Sequence, residues 1–344
     1  MTGVDLFATL LPTFPHFARF ASDVRLAGIR LNSAMTAPRE VEEELTAADA
    51  AQPSVPLWFD VKGRQPRVAE VHPDPDRLVV TLNHAVRVAD LPQPVLFKAG
   101  EDAALLERLE DGGRRLVFAP GRTHGPVYAV QAGESLHVRH PSFTLLGPLF
   151  TDEEKAKIET VRRSGIRRWF LSYVESEADV HAFLELAGRD AELMLKIENE
   201  RGVRRATQEF RKRDGRTLVA ARGDLYVEIG RPHHMPRAVR AILRADPEAM
   251  VGSRLLLSVM QPLLADVKRG LAFVQSHPDD DGRRKAAAKL AQPRVPSCAD
   301  FSELAWLADI GYRRFLLCDE LCLDGALLAA AMNAFWAFME DGVR

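Results

Sequence analysis

The chain has 344 residues, 47% apolar and 27% charged, with a formal net charge of −2. That balance fits a globular protein with a sizeable core and removes the electrostatic case for a nucleic-acid or membrane partner. No apolar run is long enough to span a bilayer, MTGVDLFATLLPTF has no basic leader, and three cysteines make no disulfide framework, so a reduced, cytoplasmic protein is expected.

In chain order, LFATL (6–10), GIRLN (28–32) and VPLWFDV (55–61) read as strands, and APREVEEELTAADAA between the last two reads as a helix. From Ala69 to Leu146 the helical signal gives way to short alternating runs punctuated by Pro, Gly and Asp, among them RLVVTLNHAVRV, PVLFKA and RRLVFAPG. The first rhythm then returns. TDEEKAKIETVRRSG pairs Thr151 with Glu154 as a capping box and stops at Gly165. The strands RRWFLSYV (167–174), ELMLKIEN (192–199), TLVAARGD (217–224), RLLLSVMQ (254–261) and RRFLLCDE (313–320) follow, separated by helical patterns. The final run, GALLAAAMNAFWAFMEDG, is an apolar helix expected to close the core. Eight strands buried on both faces and alternating with helices predict an α/β fold, a (β/α)8 TIM barrel. Residues 1–68 and 147–344 form the barrel in this reading, and 69–146 form a small β-rich lid domain inserted over its mouth.

Several of these apolar strands end in charge. Side chains two apart share a strand face, so Arg30 with Asn32, Asp60 with Lys62, Lys196 with Glu198, and Arg222 with Asp224 point the same way in pairs. Unpaired buried charge costs several kcal/mol, and the C-terminal ends of barrel strands are where active sites form. Two carboxylates from neighbouring strands, Glu198 and Asp224, suit Mg2+ or Mn2+ while leaving coordination positions for a bidentate 2-oxo acid. Arg30, Lys62, Arg67 and Lys196 supply positive charge for phosphate or a developing enolate.

The segments LKIENERGVRRATQEF and LVAARGDLYVEIG resemble the pyruvate kinase family, in which KIEN and ARGDL end successive barrel strands. LFATLLP, IRLN, FDVKGRQPR and the PSCADFSELAWLADIGYRRFLLCDE region are similar to further family segments. The resemblance implies a barrel of the phosphoenolpyruvate/pyruvate-binding type, without the family's C-terminal regulatory domain. It implies that Lys196 contacts the transferring phosphoryl group, Glu198 and Asp224 ligate the divalent metal, and the backbone of Ala221, Arg222 and Gly223 binds the substrate carboxylate. Arg30 and Arg67 would hold phosphate, and Asn32 and Asp60 would belong to a K+ site with Lys62 beside it. Departures cluster elsewhere: Ala34 and Met35 replace a family serine and histidine, Gln65 a glutamate, Cys298 an arginine and Leu321 a threonine. The seventh-strand threonine is missing, with Ser258 and Gln261 as candidate substitutes, while Glu320 matches a family glutamate.

The expected activity is divalent-metal-dependent phosphoryl transfer between phosphoenolpyruvate or pyruvate and ADP/ATP or another acceptor. The alternatives are a nucleotide-free metal lyase or aldolase acting through a pyruvate enolate, and an inactive kinase-derived binding protein. A small 2-oxo acid or enol phosphate is the expected partner of a homodimer or monomer.

Overall fold

The computed structural model describes residues 3–97, 100, 102–120, 130–213, 215–260, 279, 281, 285 and 295–342. Eight parallel strands close a barrel: β1 (Asp5–Thr9), β2 (Gly28–Asn32), β3 (Leu57–Val61), β12 (Arg168–Leu171), β13 (Glu192–Ile197), β14 (Arg216–Ala221), β15 (Met250–Gly252) and β16 (Arg314–Leu316). The ring runs β1-β16-β15-β14-β13-β12-β3-β2, so sequential strands are neighbours and only β3 to β12 is interrupted. Into that gap the chain inserts a six-stranded antiparallel sheet and a two-stranded one, spanning β4 (Val68–His72) to β11 (Thr144–Leu146). The inserted part has its own core, including Val80, Leu82, Val95, Leu106 and Leu116.

Helices cover the barrel's outer face for the usual reason, an apolar stripe against strands that are apolar on both sides. The helix Asp152–Arg163 starts as its sequence requires: Thr151 Oγ1 accepts from Glu154 N at 3.1 Å, and Glu154 reaches back to Thr151 N at 3.3 Å. The other oxygen of Glu154 accepts from Lys62 N at 3.1 Å and Gly63 N at 2.8 Å, which pins the loop leaving β3. The last helix, Gly325–Gly342, sinks Leu328, Met332, Phe335 and Met339 into the main core, as its composition anticipated.

Inside the ring the floor is apolar. Phe7, Trp58, Phe170, Met194, Val219, Met250 and Leu316 come from seven different strands and pack into one buried cluster. The eighth strand contributes Gly28. A Cβ there would stand 2.3 Å from the Phe7 ring, so the absent side chain makes room for Phe7 and Trp58.

One strand lies elsewhere than the sequence reading placed it. RLLLSVMQ (254–261) was the predicted seventh strand, but the strand is Met250–Gly252. Ser253, Arg254 and Leu256 have φ of 71°, 60° and 55°, which ends the extended chain, and Leu257–Val259 form a 3-10 turn. Leu255 and Leu256 are fully buried there, so an apolar run that fits a buried strand is here a buried turn.

Gly28→Ala forces a methyl group into the Phe7 ring, and overpacking of this kind costs about 1–3 kcal/mol. The expected result is a lower urea midpoint with an unchanged m-value. An unchanged midpoint would show that the floor can yield.

Candidate active site

Strand alternation builds the site in layers. Two residues beyond the floor stand Thr9, Arg30, Asp60, Ser172 and Lys196, with Ala221, Gly252 and Cys318 completing the ring. Two residues further come Asn32, Lys62 and Glu198. The floor is apolar, the next layer polar and buried, and the third opens to the mouth.

Asp60 is the hub of the polar layer and is inaccessible to solvent. Its Oδ2 accepts from Lys62 Nζ at 2.8 Å, Arg30 Nη1 at 3.2 Å and Lys196 Nζ at 3.5 Å, and its Oδ1 accepts from Ser172 Oγ at 3.1 Å. Burial opposes its ionisation, but Lys196, Lys62 and Arg30 outweigh that and hold the carboxyl well below the usual range. Lys62 is lowered to about 7 by burial, which Asp60 only partly offsets against Lys196, Arg67 and Arg30. Burial also works against the Lys196 ammonium, yet Asp60 and Glu198 keep its pKa raised.

Glu198 and Asp224 form the acidic side. Glu198 Oε2 accepts from Tyr173 N at 2.6 Å, a bond that fixes Tyr173 at φ 52°. Its Oε1 pairs with Lys196 Nζ at 2.9 Å, and Glu198 is only 1% exposed. Asp224 stands in the first turn of the short helix Arg222–Glu228, directly after β14. Burial and the neighbouring Asp224 push Glu198 up to about 7. Asp224, despite burial, is lowered by His137 and Lys196. The two carboxylates therefore differ, Glu198 being the more readily protonated of the pair.

Arg30, Asn32, Lys62, Arg67, Lys196, Glu198, Ala221, Gly223, Asp224 and Glu320 all line one cavity of about 390 Å³, with Asp60 beneath it. A Cβ on Gly223 would come within 3.3 Å of Ser253 Cβ. Arg222 points elsewhere: it donates to the carbonyls of Ser253 and Gly252 and pairs with Glu303, tying its helix to β15. Arg67 donates to Gln65 Oε1 at 3.0 and 2.5 Å and to the Gly133 carbonyl, so it joins the mouth to the inserted sheet. Ser258 donates to Asp300 and accepts from Ser297 N at 2.8 Å, which commits it to a helix start outside the cavity. Gln261 lies outside the described residues. Asn32 caps Ala34 N at 3.2 Å and donates to Asp319, so it and Asp60 are both engaged within the chain.

Three participants escaped the sequence reading, Ser172, His137 and Tyr173, and a fourth, Asp319, was read only as part of the end of the last strand. Ser172 follows the same strand alternation and was legible in principle. Asp319, which the sequence reading put with Glu320 at the end of the strand 313–320, does reach the mouth and receives bonds from Arg30 and Asn32, but from a helix, Asp319–Cys322, since β16 ends at Leu316. His137 and Tyr173 carry no local signal. His137, on β10 (Leu136–His137) of the inserted sheet, places Nδ1 2.6 Å from Glu228 Oε1 and Nε2 3.9 Å from Asp224 Oδ1. Burial disfavours its protonation, but Glu228 and Asp224 raise its pKa. Tyr173 Oη stands 3.3 Å from the same Glu228 oxygen. Arg139 adds bonds to the carbonyls of Val227 and Tyr226, so the inserted sheet is fastened to the helix that bears Asp224.

Among the described residues no three His, Cys, Asp or Glu side chains already form a metal cluster. Glu198 and Asp224 nevertheless suit a hard divalent cation, since both offer carboxylate oxygens to the same cavity. Cys318 and Cys322 are buried and both are pushed up to about 12, mainly by that burial, which makes them poor nucleophiles.

Residues 129–247 match the family model "Pyruvate kinase, barrel domain". Pyruvate kinase of Lachancea kluyveri is 30% identical over 88 residues, which are 25% of this chain and 17% of that protein. Pyruvate kinase 1 of Saccharomyces cerevisiae is 30% identical over 102 residues, 29% of this chain and 20% of that protein. The aligned stretch thus spans about a fifth of either relative. The crystal structure of pyruvate kinase from Pyrobaculum aerophilum superposes with a TM-score of 0.65 over 98% of this chain and 73% of that one, at 16% identity, a likeness of fold.

Asp60→Asn leaves three buried cations without their carboxylate, and breaking a buried pair costs about 3–5 kcal/mol. The folded pKa of Asp60 lies below its unfolded value of about 3.9, so its contribution is full above that pH and is lost as pH falls through the folded value. Urea unfolding should therefore show a large deficit at pH 7 that narrows below about pH 4. A deficit independent of pH would contradict the ionised hub.

Proposed function

We propose that this chain, a pyruvate-kinase-family protein, catalyses divalent-metal-dependent phosphoryl transfer between phosphoenolpyruvate and a nucleoside diphosphate. The observation that carries the reading is the juxtaposition of Glu198, which is buried, and Asp224 on one cavity wall, beside a Lys196 ammonium 2.9 Å from Glu198. Glu198 and Asp224 would hold Mg2+ or Mn2+, and the bound cation would supply positive charge to a carbonyl oxygen acquiring enolate character.

The chain's own groups do the rest. Lys196, fixed by Asp60, Ser172 and Glu198, presents a charged ammonium to the phosphoryl group in transit. Arg30 and Arg67 bind phosphate oxygens from the opposite wall, and Lys62 adds charge between them. The Ala221–Gly223 backbone, where the short helix begins, accepts the substrate carboxylate close to Gly223, which has no side chain to block it. The phosphorus–oxygen bond of the enol phosphate breaks, a new one forms to the nucleotide's terminal oxygen, and the enolate left behind takes a proton at carbon to become pyruvate. The inserted sheet, fastened through His137 and Arg139, shields this chemistry from water.

Phosphorus NMR of the protein with phosphoenolpyruvate, ADP, Mg2+ and K+ tests the reading: ATP resonances should grow, and Lys196→Met should slow them by about a hundredfold or more. Intact phosphoenolpyruvate after prolonged incubation with the wild-type protein would overturn it.

Metal binding gives a separate check. The ligand carboxylates must be ionised to bind, so Mn2+ affinity should rise with pH as Glu198 loses its proton around 7 and level off above that. Glu198→Gln should weaken Mn2+ binding and remove the pH dependence in calorimetry. Equal affinity in the variant would exclude Glu198 as a ligand.

A further inference from the structure

Arg30 already has an acceptor for each edge of its guanidinium. Nε donates to Thr9 Oγ1 at 2.9 Å, Nη1 to Asp60 at 3.2 Å, and Nη2 to Asp319 Oδ1. The second oxygen of Asp319 accepts from Asn32 Nδ2. One carboxylate thus bridges the side chains of Arg30 and Asn32, neighbours on the same face of β2.

The two carboxylates on Arg30 differ in kind. Asp60 is inaccessible and serves three cations at once. The Asp319 side chain is 31% exposed and lines the cavity. It opens the four-residue helix Asp319–Cys322, whose Leu321 and Cys322 are fully buried. The backbone is therefore anchored while the carboxylate can turn into solvent and be hydrated. Arg30 thus stands between two carboxylates, one buried and one at the cavity wall.

We propose that Asp319 is an affinity- and specificity-determining residue, a resident anion that an incoming phosphate must displace from Arg30 and Asn32. This rests on Arg30 being a phosphate-binding group. A carboxylate and a phosphate compete for the same donors through the same charge-assisted bonds. Asp319 occupies the outer donors of Arg30 and Asn32 in the empty site, screens out weakly bound anions and lowers the affinity for those that bind. A ligand gains entry only when its other contacts, to Lys196 and to a cation that Glu198 and Asp224 would hold, compensate for the lost Asp319 pair.

The test is calorimetric titration of inorganic phosphate and of phosphoenolpyruvate into the full-length protein with Mn2+ present. Asp319→Asn and Asp319→Ser should bind both about tenfold more tightly, the scale of one released charge-assisted pair. Asp319→Glu, which keeps the charge, should show no gain, and the gain should vanish when Arg30→Gln is combined with Asp319→Asn. Thermal melts establish that each variant is folded, and Asp319→Ser, a smaller uncharged side chain, guards against failure of the first. Equal or weaker anion binding in either folded variant overturns the proposal while leaving Arg30 as a phosphate group. Absence of anion binding in the wild type and in every variant overturns the proposal and the phosphate-transfer reading together.

Discussion

The site hangs on Asp60. A carboxylate with no solvent contact is tolerable only when its charge is matched, and here Arg30, Lys62 and Lys196 converge on one of its oxygens. The dependence runs both ways, because three cations in a barrel interior would repel one another without it. The hub fixes where Lys196 stands, Lys196 fixes Glu198 by charge, and Glu198 in turn fixes the Tyr173 backbone. Such a network cannot be altered one residue at a time without leaving a buried charge unmatched.

The apolar floor is what makes this hub possible. Phe7, Trp58 and their neighbours fill the barrel's lower half, so the polar layer above has a dry base and its pairs act in a low effective dielectric. Gly28 is the concession that lets two aromatic rings share that floor. The same strand that gives up a side chain at position 28 supplies Arg30 two residues later, so packing and chemistry are set by one alternation.

The roof is made differently. The inserted sheet reaches the barrel through His137, Arg139 and Arg67, polar contacts to a helix and a loop, while its own core stays separate. Polar junctions of this kind are weaker per area than a shared apolar core, which suits a part that must admit a ligand. Because His137 and Glu228 grip the helix that carries Asp224, the position of the sheet and the position of that carboxylate are coupled.

Much of this was legible in the sequence. Short apolar runs at 28–32, 55–61 and 192–199 identified strands, and the two-residue period of side-chain direction identified the polar pairs that share a face at their ends, because that direction is a local property. The capping box at Thr151 and Glu154 was equally local. What the sequence could not determine is which distant groups meet. RLLLSVMQ is buried as any apolar run would be, but its turn conformation depends on φ angles that its composition does not dictate. His137 carries no signal of its own, and Asp319 was legible only as the end of a strand; each matters through a partner outside its own element, Glu228 for one and Arg30 for the other. Local chemistry therefore fixed the faces and the charges, while chain closure decided which charges neutralise which, since that depends on distances only the closed barrel defines.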